Sequence, residues 1–260
     1  MESNAETMAD EEGRQYHIGL KRGELADKIM LAGDPDRIEI GRELFDEIEI
    51  ETQRREYRCI TGKAYGTRIS MLSTGIGPDN TEIAVIEASQ IVDDPIFIRI
   101  GSCGCLQDFV RPADQVISTG SIAYENTSTF FVPDCFPAIA SREVVDELEK
   151  ACKELGLQHH VGLTATTPGF YGSQGRNIGN FEPLPFKIEE LQKWNVLNFE
   201  MESSCLFRLA MISGAKSGTI CAAYNNRITD EMITTKQKGP AQEGTIRAAM
   251  LALDRKSVGE

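Results

Sequence analysis

The stretch P-I-F-I-R-I-G-S-C-G, residues 95–104, decides the predicted fold of this chain. Apart from Arg99, positions 96–100 are isoleucine or phenylalanine, and such a short apolar run is typical of a strand buried on both faces of a parallel sheet. The small residues at 101–104 are expected to form a turn that brings backbone N–H groups and a hydroxyl close to a ligand. Because open α/β sheets bind ligands at the carboxyl ends of their strands, the stretch predicts an anion site.

Arg99 is the one charged residue inside this apolar run. A buried guanidinium is unfavourable unless an anion pairs with it. That anion is either a structural carboxylate of the chain, with the glycines simply turning the backbone, or a bound ligand. The stretch by itself leaves both interpretations open.

The composition limits the partners that this protein can have. A chain of 260 residues is long enough for one large α/β domain, and its formal net charge is -13. We expect no nucleic-acid partner, because no basic stripe is present to neutralise phosphates. A small anion would have to be held by a few focused arginines against an unfavourable overall field.

The cysteines and histidines indicate the compartment and argue against a metal site. The seven cysteines are scattered without a C-x-x-C pair, which favours a reducing compartment, and we predict a cytoplasmic protein. We expect neither a secretory leader nor a membrane-spanning segment. Only three histidines occur, so no metal is expected.

The chain is predicted to fold as one α/β domain of three layers, with helices on both faces of the sheet. Residues 1–15 are acidic and poor in large apolar side chains, so we expect a disordered tail before a single domain over 16–260. Strands are predicted at 28–32, 47–51, 57–61, 68–74, 96–100, 115–119, 161–167, 196–199 and 219–223. Helices are predicted from the 33–37 turn to about 44, at 81–92 with Asp79 or Asn80 as cap, from a Ser141 cap to Gly156, from Glu202 to about 213 and at 241–254, with a polar loop over 228–240.

Five short segments with polar or small residues follow predicted strands. The first, G-D-P-D-R at 33–37, joins a strand to a helix through a glycine, an arrangement that can present N–H groups to an anion. Taken alone it is equally a proline-nucleated turn with a solvated arginine. The others are 99–104, 170–176, 200–202 and 225–227.

Together these segments resemble the nucleoside phosphorylase-I family and, within it, the uridine phosphorylases. The resemblance covers nearly the whole chain and implies a three-layer αβα sandwich around a mixed central sheet. It also implies a reaction of pyrimidine salvage, the reversible phosphorolysis of uridine, with deoxyuridine as a further candidate, to uracil and the pentose 1-phosphate. The matching strings are G-D-P-D-R (33–37), R-R-E-Y (54–57), S-T-G-I-G (73–77), R-I-G-S-C-G (99–104), F-Y-G-S-Q-G-R (170–176), N-F-E-M-E-S (198–203) and N-R (226–227).

The resemblance assigns a phosphate site and a ribose site. Guanidinium forks suit a tetrahedral oxyanion, and a carboxylate can accept hydrogen bonds from the sugar hydroxyls. Without the resemblance, His17 is better interpreted as a surface residue. The alternative for Glu200 and Glu202 is that they are acids favoured by a helix N-terminus. The implied phosphate-binding residues are Gly33, Arg37, Arg99, Ser102 and, from a neighbouring subunit, Arg55; the implied ribose-binding residues are Glu200, Met201, Glu202 and, from the partner, His17.

The implied base site contains Phe170, Gln174, Arg176 and Arg227. A glutamine amide offers one donor and one acceptor to a uracil edge, and Arg176 can donate to a carbonyl that becomes more negative as the glycosidic bond breaks. Gln174, Arg176 and Arg99 are therefore the expected catalytic residues. The alternative interpretation of Gln174 and Arg176 is an ordinary polar loop.

The sequence departs from the family pattern at several positions. Purine enzymes of the family place an aspartate after the strand that ends near residue 223, where this chain reads N-N-R, so a purine would lack its proton donor. Cys103 stands where bacterial uridine phosphorylases usually carry threonine. Asn80 stands at the position of a serine that helps to bind a monovalent cation in some of these enzymes, so that site is not predicted.

Three other functions compete with this interpretation: a purine nucleoside phosphorylase, a nucleosidase that uses water, and a nucleoside-binding protein without turnover. The arginine set argues against the nucleosidase, and the Gln174–Arg176 pair argues against purines. No cofactor is expected, since inorganic phosphate is a co-substrate. The shared site implies at least a homodimer, with a hexamer as a trimer of dimers expected from the family.

Overall fold

The structure is a computed structural model that describes residues 8–184 and 186–255. The helices are α1 (Asp36–Arg42), α2 (Pro78–Ile91), α3 (Arg142–Glu154), α4 (Ile188–Lys193), α5 (Ser203–Ser213) and α6 (Thr235–Asp254), with 3-10 turns at Ser128–Phe130 and Gly172–Gln174. The strands are β1 (Lys28–Ala32), β2 (Glu47–Arg54), β3 (Tyr57–Ala64), β4 (Thr67–Ser73), β5 (Ile96–Cys105), β6 (Gln115–Ala123), β7 (Ala138–Ile139), β8 (His159–Thr166), β9 (Asn198–Glu200), β10 (Lys216–Asn226) and β11 (Glu231–Met232).

The strands form one mixed sheet, part of which closes on itself. β5 pairs with β10, and β10, β6, β8, β9 and β5 pair in succession, so that these five strands form a ring. β1, β4, β3 and β2 extend the sheet beyond β5, while β11 and β7 pair with β10 and β6. The mixed sheet and the alternating helices confirm the predicted α/β class. The ring closure is not apparent in the sequence, because it depends on which distant strands pair.

The central strand β5 has one incompletely paired edge. β1 runs parallel to it as far as the Leu31–Arg99 pair, and β9 pairs with the same edge at Gly104–Phe199 and Cys105–Asn198. Within the described residues, no strand pairs with this edge between Ile100 and Cys103. The carbonyl of Ile100 is instead met by the side chain of Arg37, whose Nη1 donates to it at 3.2 Å. Polar side chains can therefore reach β5 here.

The predicted turn at 101–104 is wrong, because β5 continues through these residues to Cys105 and stays paired with β10. The glycines instead allow neighbouring side chains to pack directly against the backbone of β5. A Cβ on Gly101 would overlap the guanidinium of Arg99, and a Cβ on Gly104 would lie 2.6 Å from Cε2 of Phe199. Side chains of two other residues thus occupy the space that a larger residue would need.

Two predicted helix starts also differ from the structure. α2 begins at Pro78 after Gly77, and neither Asp79 nor Asn80 caps it. α6 begins at Thr235, so the loop predicted over 228–240 is wrong beyond residue 234. The reason is a capping box in which Thr234 accepts from the N–H of Gln237 and the Gln237 side chain accepts in return.

The remaining predicted elements agree with the structure. Each predicted strand is found, and several of them are longer than expected. Gly156, with its φ of 65°, follows the last turn of α3 and ends the helix there. Ser141 stands at the start of α3 as predicted, but its hydroxyl accepts from the N–H of Ser217 rather than from the helix. The short elements β7, β11 and α4 were not predicted.

The helices form two groups around a large apolar core. α2 packs against α5, while α6 packs against α1 and α3 and contacts β5 and β10. The core is built from the buried faces of β1, β3, β4 and β5 and of these helices. Burial of this apolar surface stabilises the sheet whose strand ends carry the polar segments.

The expected acidic tail lies partly outside the described residues, which begin at residue 8. Within the part that is described, Ala9 forms a bridge with Gln15, and Arg14 pairs with Glu24 at 2.7 Å. Gln15 is buried.

Candidate active site

A cavity of about 440 Å³ lies where the polar segments meet. It opens beside the free edge of β5, between the ends of β1, β9 and β10 and the loop after β8. Most of the residues selected from the sequence share this cavity. They are Gly33, Arg37, Arg99, Ser102, Phe170, Gln174, Arg176, Glu200, Met201 and Glu202.

Arg99 is buried and already paired with carboxylates of its own chain. Its Nε lies 2.9 Å from Oε2 of Glu200, and its Nη2 donates to Oε2 of Glu202. Burial lowers the pKa of Arg99, but the charges of Glu202 and Glu200 outweigh that effect and hold the pKa above its usual value. Of the two interpretations of Arg99, the structure therefore shows the pairing with carboxylates of the chain itself, so a bound anion is not needed to compensate its charge. Its Nη1 has no hydrogen-bond partner among the described residues.

Glu200 is a structural carboxylate as well as a cavity residue. Its side chain is fully buried and accepts from the backbone N–H groups of Glu202 and Ser203 at the start of α5, and from the hydroxyl of Thr166 at 2.6 Å. Such a cap satisfies N–H groups that have no partner within the helix. The contacts of Glu200 thus agree with its interpretation as an acid that stabilises a helix N-terminus.

Glu202 has fewer contacts and lines the cavity with its carboxylate. Oε1 accepts from the N–H of Gly77 at 2.7 Å, and Oε2 accepts from Arg99. Burial raises the pKa of Glu202, and the nearby charge of Glu200 adds to this, while Arg99 acts in the opposite direction. Because each oxygen carries one described hydrogen bond, each retains acceptor capacity for a ligand hydroxyl.

Arg37 is a second buried guanidinium in the cavity. It is only 5% exposed, and its described hydrogen bond is the one from Nη1 to Ile100. Its Nε has no partner among the residues that the structure describes. Arg37 and Arg99 thus bring two positive charges and unpaired N–H groups to one cavity of a strongly acidic protein.

The loop after β8 holds Gln174 and Arg176 together. Nη1 of Arg176 donates to the Gln174 side-chain oxygen and, at 2.7 Å, to the carbonyl of Phe170. The guanidinium carbon lies 3.9 Å from the centre of the Phe170 ring, so this ring packs on Arg176. Gly175, with a φ of 63°, makes the turn between the two side chains.

Arg227 lies behind this loop rather than in the cavity wall. Its Nη1 donates to the carbonyl of Gln174 at 3.0 Å, and its backbone N–H donates to the carbonyl of Cys105. Burial, and then the charge of Arg227, lower the pKa of Arg176 to about 10. Arg176 is therefore still a cation at neutral pH and lies beside a second cation.

His17 and Arg55 lie outside the cavity but close to each other. His17 contacts Tyr16 edge to face, and the guanidinium carbon of Arg55 lies 4.9 Å from the centre of the same tyrosine ring. Glu87 holds His17 through Nδ1 at 2.6 Å and through its backbone N–H. Arg55 has a φ of 55°, a strained value for this residue. One chain therefore does not bring these two residues to its own cavity.

Two polar residues of the cavity were given no ligand contact from the sequence, although Asn225 lies in the selected segment 225–227. Tyr224 and Asn225 line the cavity from the end of β10, and the Tyr224 hydroxyl and the Asn225 side-chain oxygen are buried without a described partner. Their signal in the sequence is the abrupt change from T-I-C-A-A to polar residues at a strand end.

Metal and membrane features are not found in the parts that the structure covers. The described residues contain no group of three or more histidine, cysteine, aspartate or glutamate side chains that could hold a metal ion. None of the helices within 8–184 and 186–255 is long and apolar enough to cross a membrane.

Comparison with known proteins finds matches over almost the full length of the chain. Residues 28–254 match the model of the phosphorylase superfamily. The uridine phosphorylase of Thermococcus kodakarensis is 38% identical over 252 residues, which cover 96% of this chain and 91% of that protein. The uridine phosphorylase of Escherichia coli is 30% identical over 249 residues, which cover 92% and 97%.

A solved structure has the same fold. It belongs to a Trypanosoma brucei nucleoside phosphorylase that is described as showing uridine phosphorylase activity. The TM-score is 0.88 at 26% identity, and the match covers 95% of this chain and 98% of the other.

Proposed function

Because the chain belongs to the phosphorylase superfamily, we propose that it is a uridine phosphorylase, a pentosyltransferase that converts uridine and phosphate to uracil and ribose 1-phosphate. One observation carries the proposal: the buried guanidinium groups of Arg37 and Arg99 share a cavity with the Gln174–Arg176 pair. The first pair suits a phosphate, and the second suits a pyrimidine edge. The relatives named uridine phosphorylase support this assignment.

Phosphate is held by the arginines and aimed at the sugar. Arg37 and Arg99 carry buried nitrogens without described partners, which a tetrahedral oxyanion can satisfy. Ser102 lines the same cavity from β5, and its hydroxyl can donate as well. Since Glu200 and Glu202 already hold Arg99 in place, little reorganisation is needed when phosphate binds.

The ribose lies against Met201 and Glu202. Glu202 accepts from the 2′ and 3′ hydroxyls, because its carboxylate is held by Gly77 and Arg99 and retains free lone pairs. Glu200 orients Glu202 by accepting its backbone N–H. Glu200 thus supports the ribose site through Glu202.

The base is recognised and activated by the loop after β8. As a phosphate oxygen forms its bond to C1′, the C1′–N1 bond breaks and its electron pair leaves with uracil, which later takes a proton from solvent. Arg176 stabilises the charge that develops on a uracil carbonyl, and the Gln174 amide fixes the orientation of the ring. Phe170 covers the base, and Arg227 supports the loop through Gln174.

The working unit is at least a homodimer. His17 and Arg55 lie in one cluster outside the cavity of their own chain, as expected if they complete the site of a neighbour. Arg55 then adds a third guanidinium to the phosphate, and His17 contacts the 5′ hydroxyl. A hexamer built as a trimer of such dimers is the proposed assembly.

The proposed enzyme needs no metal or organic cofactor, since phosphate is its second substrate. Its proposed location is the cytoplasm. The seven cysteines, all of which lie within the described residues, are unpaired, which supports a reducing compartment.

Ultraviolet absorbance tests this function directly. Uridine and inosine are each incubated with the purified protein, with and without inorganic phosphate. We expect uridine to be cleaved only in the presence of phosphate, with release of ribose 1-phosphate, and inosine to remain intact. Equal loss of uridine without phosphate would indicate a nucleosidase, cleavage of inosine alone a purine enzyme, and binding without cleavage a protein without turnover.

A further inference from the structure

Tyr224 occupies an irregular position at the end of β10. The pairing with β5 is regular up to Ala223 opposite Cys103, but the next pair is Asn225 opposite Gly104. Tyr224 is therefore the extra residue of a β-bulge, and bulges beside active sites re-aim side chains. Its carbonyl accepts from the N–H of Ile233 at 2.7 Å, which holds the bulged backbone in place.

The side chain of Tyr224 lies in the cavity beside Arg37. The Tyr224 hydroxyl is buried, and the side chains of Arg37 and Gln242 lie near it, but no described residue forms a hydrogen bond of good geometry with it. Burial raises the pKa of Tyr224, while the nearby charge of Arg37 opposes this, as does the amide of Gln242. Because the pKa stays above that of free tyrosine, the hydroxyl keeps its proton at neutral pH and can donate.

Besides Nε of Arg99, which lies 2.9 Å from Glu200 but forms no hydrogen bond with it, three buried donors of cavity residues lack hydrogen-bond partners within the described structure: the Tyr224 hydroxyl, Nε of Arg37 and Nη1 of Arg99. A buried donor without a partner is unfavourable, so three of them around one cavity call for a ligand that can accept several hydrogen bonds. Two of these donors are cationic, which requires a negatively charged acceptor. An oxyanion with several oxygens meets both requirements.

We propose that Tyr224 is a further phosphate-binding residue, whose O–H donates to a phosphate oxygen beside Arg37. This assignment rests on the proposed function. The hydroxyl adds a hydrogen bond without adding a charge. It also comes from β10, whereas Arg37 comes from the first turn of α1 and Arg99 from within β5, so phosphate is held from a third direction.

The test is the variant Tyr224→Phe, which removes only the hydroxyl. We expect the KM for phosphate to rise about tenfold, as for the loss of one hydrogen bond to a charged group. We expect the KM for uridine, and kcat at saturating phosphate, to stay within about twofold of the parent. Calorimetric titration of the free enzyme with inorganic phosphate should show the same loss of affinity.

Tyr57→Phe is the matched control. Tyr57 is also a buried tyrosine whose hydroxyl has no described partner, but it does not line the cavity. Its variant should keep the phosphate KM of the parent. Tyr224→Leu, which removes the ring as well, should weaken phosphate binding at least as much as Tyr224→Phe.

Two results would overturn the assignment. One is a phosphate KM in Tyr224→Phe within twofold of the parent. The other is a rise confined to the KM for uridine, which would place the hydroxyl on the nucleoside. Failure of the proposed function is a separate result, because the parent protein itself would then show no phosphate-dependent cleavage of uridine.

Discussion

Arg99 shows how one residue can serve both structure and ligand binding. Its Nε and Nη2 are paired with Glu200 and Glu202, and its Nη1 is left without a described partner in the cavity. Removing one partner of a buried ion pair leaves an uncompensated charge, so this triad must be kept intact for folding. From the sequence, pairing with a structural carboxylate and binding of a ligand were alternatives for Arg99. In the structure, different nitrogens of the same guanidinium can do both.

Arg176 gives a prediction at the same scale. We expect Arg176→Ala to lower kcat/KM for uridine by about 100-fold, the loss typical of removing one donor that stabilises developing charge. The KM for phosphate should stay within about twofold, because Arg37 and Arg99 remain. Steady-state kinetics with each substrate varied in turn provide the measurement.

The control for this variant is Arg22→Ala, which removes an exposed arginine paired with Asp93 at the surface. It should leave both kinetic constants unchanged. If Arg176→Ala kept the uridine kinetics of the parent, the role given to Arg176 in base activation would be refuted.

At the scale of elements, the site depends on where strands stop pairing. β1 leaves the edge of β5 at Arg99 and β9 joins it at Gly104, and the interval between them admits Arg37 and exposes Ser102 to the cavity. On the opposite edge, the bulge in β10 directs Tyr224 to the same cavity. The pairing register, more than any single motif, thus brings the polar groups together.

The start of α6 gives a prediction about stability. Thr234→Ala removes the side chain that accepts from the N–H of Gln237, and we expect the free energy of unfolding to fall by about 1 kcal/mol. Chemical denaturation followed by circular dichroism measures the change. Uridine kinetics should stay unchanged, because Thr234 does not line the cavity.

Thr235→Ala is the control for this cap. Thr235 is the first residue inside α6, and alanine is the better helix former there, so its free energy of unfolding should not fall. Equal destabilisation by both variants would show that the capping box does not stabilise α6.

At the scale of the whole molecule, the cavity of one chain lacks two of the residues assigned to it. His17 and Arg55 share a cluster around Tyr16 at another part of the same chain. In a two-fold symmetric dimer, each chain can both donate this cluster and receive it. With a net charge of -13 the protein repels phosphate at long range, which makes a third local arginine valuable.

Mixing two inactive variants tests the shared site. Arg55→Ala and Arg176→Ala are each expected to show little activity alone. After exchange of subunits, half of the dimers are mixed, and one of their two sites has both arginines. Activity should therefore recover to about a quarter of that of the parent, as two-fold symmetry requires.

The matched control mixes Arg55→Ala with Arg37→Ala,Arg55→Ala, in which neither chain can donate Arg55, and it should show no recovery. An active monomer in light scattering, or absence of recovery after proven exchange, would contradict the shared site.

Much of the fold and of the site could be predicted from local sequence. Short apolar runs followed by glycine or polar residues mark strands and their ends, and parallel strands bring their ends to one edge of a sheet, so Arg37, Arg99 and Glu202 were expected to meet. The start of α6 also has a local signal, the Thr234–Gln237 pair, but the polar composition of residues 228–240 led to the prediction of a loop. These features depend on residues a few positions apart, which is why they can be inferred without the fold.

Other features depend on residues far apart in the chain. The continuation of β5 through Gly101, the pairing of Arg99 with two carboxylates about a hundred positions away, and the aim of Tyr224 all follow from strand register and ring closure. Local sequence patterns do not determine the register in which strands pair, because that register depends on packing over the whole sheet. The chain thus carries the identity of its ligand-binding groups in short motifs, while long-range packing sets their partners and directions.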